Sequence, residues 1–317
     1  MNELEKFIES KFGVNEKVFL EIFRNSPGAE GYLLGAVGEQ LFKQYAESKG
    51  FEVLRIKEKP NGGYDAKSDD ARGDFYIRKK GNESDEWFVI ECKSVKSNSE
   101  KRANLMNRNS CQTLLEKHSI KRKNHIQSIL NSGKRKYDKS KQSWNKNKKH
   151  KGIRFPAFRW LEKNPGAGIP NLEGLWKTKK EIQEWLDSFA SDKFTENAYW
   201  NLEAPIRLIQ THMPSQRTDG LGIKSTGPLV TEFNILCVDL YLRTGKHEFV
   251  FANSQDLNHQ AAAPNHLQQN YTIDILTEKD GFKRHQLLEP WYDDIEECIE
   301  KSKPTPRKID ESQLDYR

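Results

Sequence analysis

The sequence predicts an α/β (α+β) protein in which N-terminal helices lead into a run of β-strands, after which helices and strands alternate toward the C-terminus. Three observations carry this reading. Apolar residues recur at helical spacing before Gly50, the period becomes extended directly after it, and helical and strand patterns both return in the second half of the chain. At 317 residues the chain is long enough to bury a core without staples. Hydrophobic residues make up 35% and charged residues 31%, mean hydropathy is −0.88, and 16 Phe, 10 Tyr and 7 Trp are available for packing, which describes a polar globular protein rather than a disordered one. Neither a bilayer-spanning apolar stretch nor a basic-then-apolar leader is present in the sequence, so the expectation is a soluble, cytoplasmic protein with no membrane partner. Cys92, Cys111, Cys237 and Cys298 are far apart and form no CxxC pair, so they read as reduced thiols rather than zinc ligands or disulfides.

Along the chain, Leu4, Phe7, Ile8 and Phe12, then Val18, Phe19, Ile22 and Phe23, mark two short amphipathic helices. Pro27-Gly28 reads as a break, followed by a third helix from about Gly31 to Lys49 with Gly50 as its cap. Three strands follow: Phe51 to Lys57, Asp74 to Lys79 and Glu86 to Val95, the last two close enough across residues 80–85 to form a hairpin. A helical pattern spans Leu114 to Leu130, and a clearer one Lys177 to Ala190. Strands return at Ile206 to Met213, Leu229 to Leu242, Glu248 to Asn253 and Tyr271 to Leu276, before a final helix near Trp291 to Ile299. No internal repeat is evident.

The net charge of +6 is unevenly distributed. Residues 121–154 hold thirteen Lys and Arg against one acid, Asp138, a charge of +12, and the rest of the chain sums to −6. A basic block in an otherwise acidic chain is an electrostatic footprint for a polyanion, because each cation set beside a phosphate releases a condensed counterion. Lys121, Arg122, Lys123, Lys134, Arg135 and Lys136 are therefore candidate DNA contacts, with Tyr137 and Trp144 inside the block as possible stacking or packing groups; the competing reading is a solvated lysine loop.

The chemistry concentrates in residues 35–93. On the strand WFVIECKS, alternation brings Glu91 and Lys93 to one face while Cys92 turns with Phe88 and Ile90 to the other. A hairpin returning along the preceding strand sets Asp74 beside Glu91. Two converging carboxylates repel each other, and an oxygen-seeking divalent cation resolves the conflict, for which Mg²⁺ is suited. Asp65, Asp69 and Asp70 are nearby acids, but only Asp74 adjoins the β pattern Phe75-Tyr76-Ile77.

Asp74, sixteen intervening residues and Glu91-Cys92-Lys93, preceded by Gly35-Ala36-Val37-Gly38-Glu39, resemble the metal-dependent core of the PD-(D/E)XK nuclease superfamily. The order helix, strand, Asp-bearing strand, E-x-K strand, helix is also that family's. The resemblance covers about residues 30–131 and departs from the motif at Gly73, where the family has Pro. It implies a restriction-endonuclease-like core with a central mixed β-sheet flanked by helices, and a C-terminal β-containing extension. The corresponding division is a helical preface (1–29), a nuclease core (30–131) and a basic linker with an extension for recognition and dimerisation (132–317), which can pack with the core as one domain. Asp74 and Glu91 are then metal ligands, Lys93 a catalytic partner, and Glu39 a helix acid facing the site with glycines one turn away.

The activity implied is that of a Mg²⁺-dependent type II restriction endonuclease acting on double-stranded DNA as a homodimer, accompanied in its cell by a cognate DNA methyltransferase. The amide-rich stretches holding Asn253, Gln255, Gln268, Gln269 and Asn270 are candidates for reading bases. A structure- or modification-directed nuclease, and a non-catalytic DNA-binding protein of the same fold, are the alternatives. Gly220-Leu221-Gly222-Ile223-Lys224 lacks phosphate-loop spacing and reads as a turn, His259 and His266 read as loop contacts rather than metal ligands, and no G-x-S-x-G nucleophile motif occurs.

Overall fold

A computed structural model describes residues 2–57, 72–95, 107–159, 171–195, 204–213, 216–277 and 286–316. The Gly-rich turn at residues 60–63 and the acids Asp65, Asp69 and Asp70 lie outside the described residues.

The chain opens with α1 (Glu3–Phe12) and α2 (Glu16–Asn25), started by the side chains of Asn2 and Asn15. Helix α3 runs Pro27–Ser48, so Pro27 begins a helix rather than breaking one. Ser26 caps it and Pro27 takes the first turn, where a missing N–H costs nothing. Gly50, with φ +79°, turns the chain into β1 (Phe51–Arg55). Strands β2 (Phe75–Lys79) and β3 (Glu86–Ser94) form the hairpin expected from the sequence. The single helix expected over Leu114 to Leu130 is two: α4 (Arg108–His118) and α5 (Arg122–Lys146), the second continuing through most of the basic block. After α6 (Lys179–Asp187) come β4 (Ile206–His212), the small hairpin β5 (Gln216–Thr218) and β6 (Lys224–Thr226), then β7 (Ile235–Asp239), the single turn α7 (Tyr241–Thr244) and β8 (Phe249–Asn253). The expected long strand from Leu229 thus shrinks to five residues, because residues 229–232 close a turn through Glu232 N–H to the Leu229 carbonyl at 3.1 Å. Strands β9 (Asn270–Thr277) and β10 (Gln286–Leu287), helix α8 (Ile295–Ser302) and strand β11 (Arg307–Lys308) complete the chain. Helix α8 begins later than Trp291 because Asp294 is its N-cap, accepting from the Glu296 and Glu297 amides.

The central sheet has the order β1-β2-β3-β7-β8, with β11 also on β3. It is mixed: β3 and β7 are parallel and the other pairs antiparallel. Strands β7 and β8, from the part of the sequence assigned to the C-terminal extension, therefore belong to the same sheet as the hairpin. Helices α3 and α8 cover one face, where Phe42, Ala46, Ile90, Phe251, Ile295 and Cys298 pack together. The opposite face packs Val89, Leu236 and Val238 against Ile209 and Ile273 of a second sheet, β10-β9-β4. A third cluster, around Leu115, Trp176, Ile182 and Leu186, holds α4 and α6 together. Among the described residues no helix is long and apolar enough to cross a membrane.

Candidate active site

The hairpin register fixes the site. Phe75 pairs with Ile90, so one step outward on the antiparallel ladder Asp74 stands across from Glu91. The Asp74 amide donates to the Ile90 carbonyl at 2.7 Å, and its Oδ2 accepts from the Cys92 amide at 2.6 Å. Such close approach requires Gly73, since a Cβ there would lie 2.5 Å from the Ile90 carbonyl oxygen and 2.5 Å from Val89 Cγ1. Glycine at position 73 thus has a steric reason.

Lys93 Nζ makes an ion pair with Glu91 and also donates to the Cys92 carbonyl at 3.0 Å. The Glu91 side chain is only 14% exposed. Its burial, opposed by Lys93 and reinforced by Asp74, pushes its pKa up to about 8. Burial acts to discharge Lys93, but Glu91 and Asp74 outweigh it, and the ammonium is held in its charged form.

Glu39 joins the group from α3. Burial and the Asp74 charge raise its pKa, and Arg55 and Lys93 oppose the rise. Arg55 Nη2 donates to Glu39 Oε2 at 2.5 Å. Sequence reasoning missed Arg55, whose position at the end of β1 becomes meaningful only once the Ile56 amide is seen to bond the Asp74 carbonyl at 2.9 Å. The helix comes close at Gly38, where a Cβ would lie 3.1 Å from Asp239 Oδ2, whereas nothing lies within 4 Å of a Cβ on Gly35. The glycine one turn before Glu39 is therefore not the one that permits contact.

Among the described residues no set of three or more His, Cys, Asp or Glu side chains is gathered tightly enough to hold a metal. The looser set Asp74 and Glu91, with Glu39 in electrostatic reach, offers oxygen donors of the kind a hard cation takes. The raised Glu91 pKa has a consequence for the protein alone. The folded state keeps a proton that the unfolded chain, titrating near 4.5, gives up, so the associated stability is full below that pH and is lost as pH rises through about 8. Denaturant titrations of metal-free protein are expected to show stability falling across this window by at most ~1.4 kcal/mol per pH unit. Glu91→Gln should flatten the profile; an unchanged slope in that variant would assign the dependence elsewhere.

The basic block divides. Lys121 pairs with Glu116 at 3.1 Å and Arg122 is buried, burial lowering its pKa, so neither presents a free charge. Lys123, Lys134, Arg135 and Lys136 are exposed along α5. Tyr137 and Trp144 work internally: Tyr137 OH donates to the Pro156 carbonyl at 3.0 Å and Trp144 Nε1 to that of Ile153 at 2.9 Å, fastening the return segment to the helix. Between the two runs a groove of about 500 Å³, with Lys134, Lys141 and Arg154 in its lining. Neutralising Lys134, Arg135 and Lys136 together is expected to lower the slope of log binding constant against log salt by about 2.7 for duplex DNA. An unchanged slope would return the helix to a solvated face.

The amide candidates are mostly engaged inside the protein. Asn253 is 3% exposed, donates to the Ser302 carbonyl and accepts from the Gln255 amide. Gln255 accepts from Arg159, Gln268 donates to the His259 carbonyl, and Asn270 bonds His212. Gln269 is half-buried, its carbonyl accepting from the Met213 amide. Through the pairings of Ile90 with Ile235 and of Ile235 with Asn253, Asn253 lies two strands across the central sheet from the hairpin that carries Asp74 and Glu91. Residues 219–222 form a turn, and His266 is buried with its ring nitrogens against the Gly227 and Ile223 carbonyls.

Comparison with protein-family models, curated proteins and solved structures finds no match to this chain.

Proposed function

We propose that the chain is a Mg²⁺-dependent endonuclease of the PD-(D/E)XK type, hydrolysing phosphodiester bonds in double-stranded DNA in the manner of a type II restriction enzyme. The observation that carries the reading is the hairpin register that opposes Asp74 to Glu91, with Lys93 paired to the second carboxylate. The element order α3, β1, β2, β3, α4 agrees with that of the family core. Asp74 and Glu91 would hold the cation, and Glu39 would complete the acidic side of the site. When bound, Mg²⁺ supplies polarisation of a phosphoryl oxygen and a lowered pKa for the attacking water. Lys93, held charged by its neighbours, orients that water and offsets charge developing on the phosphate rather than abstracting a proton. Arg55 steers Glu39 through their shared hydrogen bond and brings a second cation near the phosphate position. The exposed lysines of α5 supply sequence-independent affinity for the DNA backbone.

Digestion of a defined plasmid with Mg²⁺, followed by end sequencing, tests the proposal. Discrete fragments with common ends support the restriction reading, and cutting confined to branched or modified DNA would favour a structure- or modification-directed nuclease. Absence of Mg²⁺-dependent breaks would remove the catalytic reading altogether.

A further inference from the structure

Two of the four cysteines meet beside the carboxylate cluster, although they stand far apart in the sequence. The parallel ladder of β3 and β7 pairs Cys92 directly with Cys237, so both side chains leave the sheet on the face that α3 and α8 cover. The two thiols are hydrogen-bonded to each other. Neighbouring strands run about 4.8 Å apart, inside the roughly 4.4–6.8 Å that a disulfide allows between Cα atoms. Cys237 is buried, whereas Cys92 is only half-buried and gives a small solute a way in. The other two cysteines are placed differently. Cys111 packs in the separate cluster around Leu115 and Trp176, and Cys298, which shares the Cys237 cluster, sets its thiol 3.8 Å from the Ser302 hydroxyl.

We propose that Cys92 and Cys237 form an oxidation site, a dithiol that a peroxide closes to a disulfide within the sheet beside Glu91 and Lys93. The Cys92 sulfur attacks hydrogen peroxide and breaks the O–O bond. It keeps one oxygen as a sulfenic acid, and the other leaves as water with the thiol proton. The Cys237 sulfur then attacks the Cys92 sulfur, forming the S–S bond, and the sulfenic hydroxyl leaves as a second water with the Cys237 proton. Two thiols are oxidised and one peroxide is reduced. The consequence for the site runs through the backbone. Cys92 stands between Glu91 and Lys93, and its amide holds Asp74 Oδ2 at 2.6 Å. A disulfide draws two touching sulfurs in to about 2.05 Å, and in a close-packed interior the strands must yield with them. The shift therefore reaches Asp74, Glu91 and Lys93 together. Loss of cleavage on oxidation rests on the nuclease reading; the disulfide itself does not.

Exposure of the folded chain to hydrogen peroxide, followed by alkylation in denaturant and mass spectrometry of the unreduced digest, tests the site. The expected result is a peptide pair joining Cys92 to Cys237, with Cys111 and Cys298 alkylated and all four thiols recovered in dithiothreitol. Cys237→Ala is expected to abolish the link and let Cys92 oxidise onward to the sulfinic acid. Should that variant fold poorly, the wild-type map decides alone. Four alkylated thiols after treatment, a link through Cys298, or further oxidation of wild-type Cys92 without a link would overturn the proposal. In the plasmid assay the linked protein should cut roughly a hundredfold more slowly and regain its rate in dithiothreitol. Undiminished cutting by the linked protein would overturn its control of the site. A chain that forms the link yet never cuts DNA would remove the nuclease reading alone, so the two ideas fail separately.

Discussion

Asp74→Ala and Glu91→Ala proteins are expected to lose Mg²⁺-dependent plasmid cleavage by roughly a thousandfold while still retarding DNA in Ca²⁺, the size of loss typical when one charge-stabilising group is removed from a preorganised site. The two variants should fail for related reasons. Asp74 Oδ2 is positioned by the Cys92 amide, and Glu91 is the acid opposite it, so either change leaves only one of the two hairpin carboxylates, beside Glu39, to hold a cation. The accompanying proton balance gives a readout independent of turnover. Burial and the Asp74 charge raise the Glu91 pKa in the metal-free protein, so cation binding should release protons, measurable calorimetrically in buffers of different ionisation enthalpy. Undiminished cutting by both variants would move the active centre away from the hairpin.

Gly73→Ala is expected to destabilise the protein by about 3 kcal/mol in urea titrations, at the upper end for overpacking. The added methyl meets a backbone carbonyl and a buried valine, neither of which can swing aside like the tip of a long side chain. Relief requires Asp74 to move off β3, so DNA cleavage should decline with stability, whereas Gly35→Ala, with open space around the new atom in the interior of α3, should leave cleavage unchanged and add up to ~1 kcal/mol of stability from helix propensity. A Gly73→Ala protein of wild-type stability would show that the 72–74 segment has another arrangement available.

What the sequence makes legible here is local. The switch to alternation after Gly50 yields the three strands within a residue or two at most ends, and the short turn at 80–85 dictates the hairpin and hence the meeting of Asp74 with Glu91. Pro27 misleads because proline both ends helices and opens them, and Ser26 decides between the two. Helix α5 is hard to see because beyond Leu130 its inward contacts come from scattered Gly133, Tyr137 and Trp144 rather than an aliphatic stripe. Arg55 and the inward-turned amides are settled by partners far along the chain, such as Ser302 for Asn253, and no spacing rule reaches that far.

The parallel pairing of β3 with β7 sets the order in which the protein can mature. Cys92 and Lys93 lie beside Cys237 and Val238, some 145 positions later, and the last turn of the chain returns to β1, where the Asp315 amide bonds the Arg55 carbonyl. During synthesis the acid-bearing hairpin emerges early with one flank bare, an adhesive edge until its distant neighbour arrives. Long-range closure of this kind slows folding. A fragment ending near residue 131 would lack the strand that pairs with β3, so the first third of the polypeptide is not a self-contained folding unit.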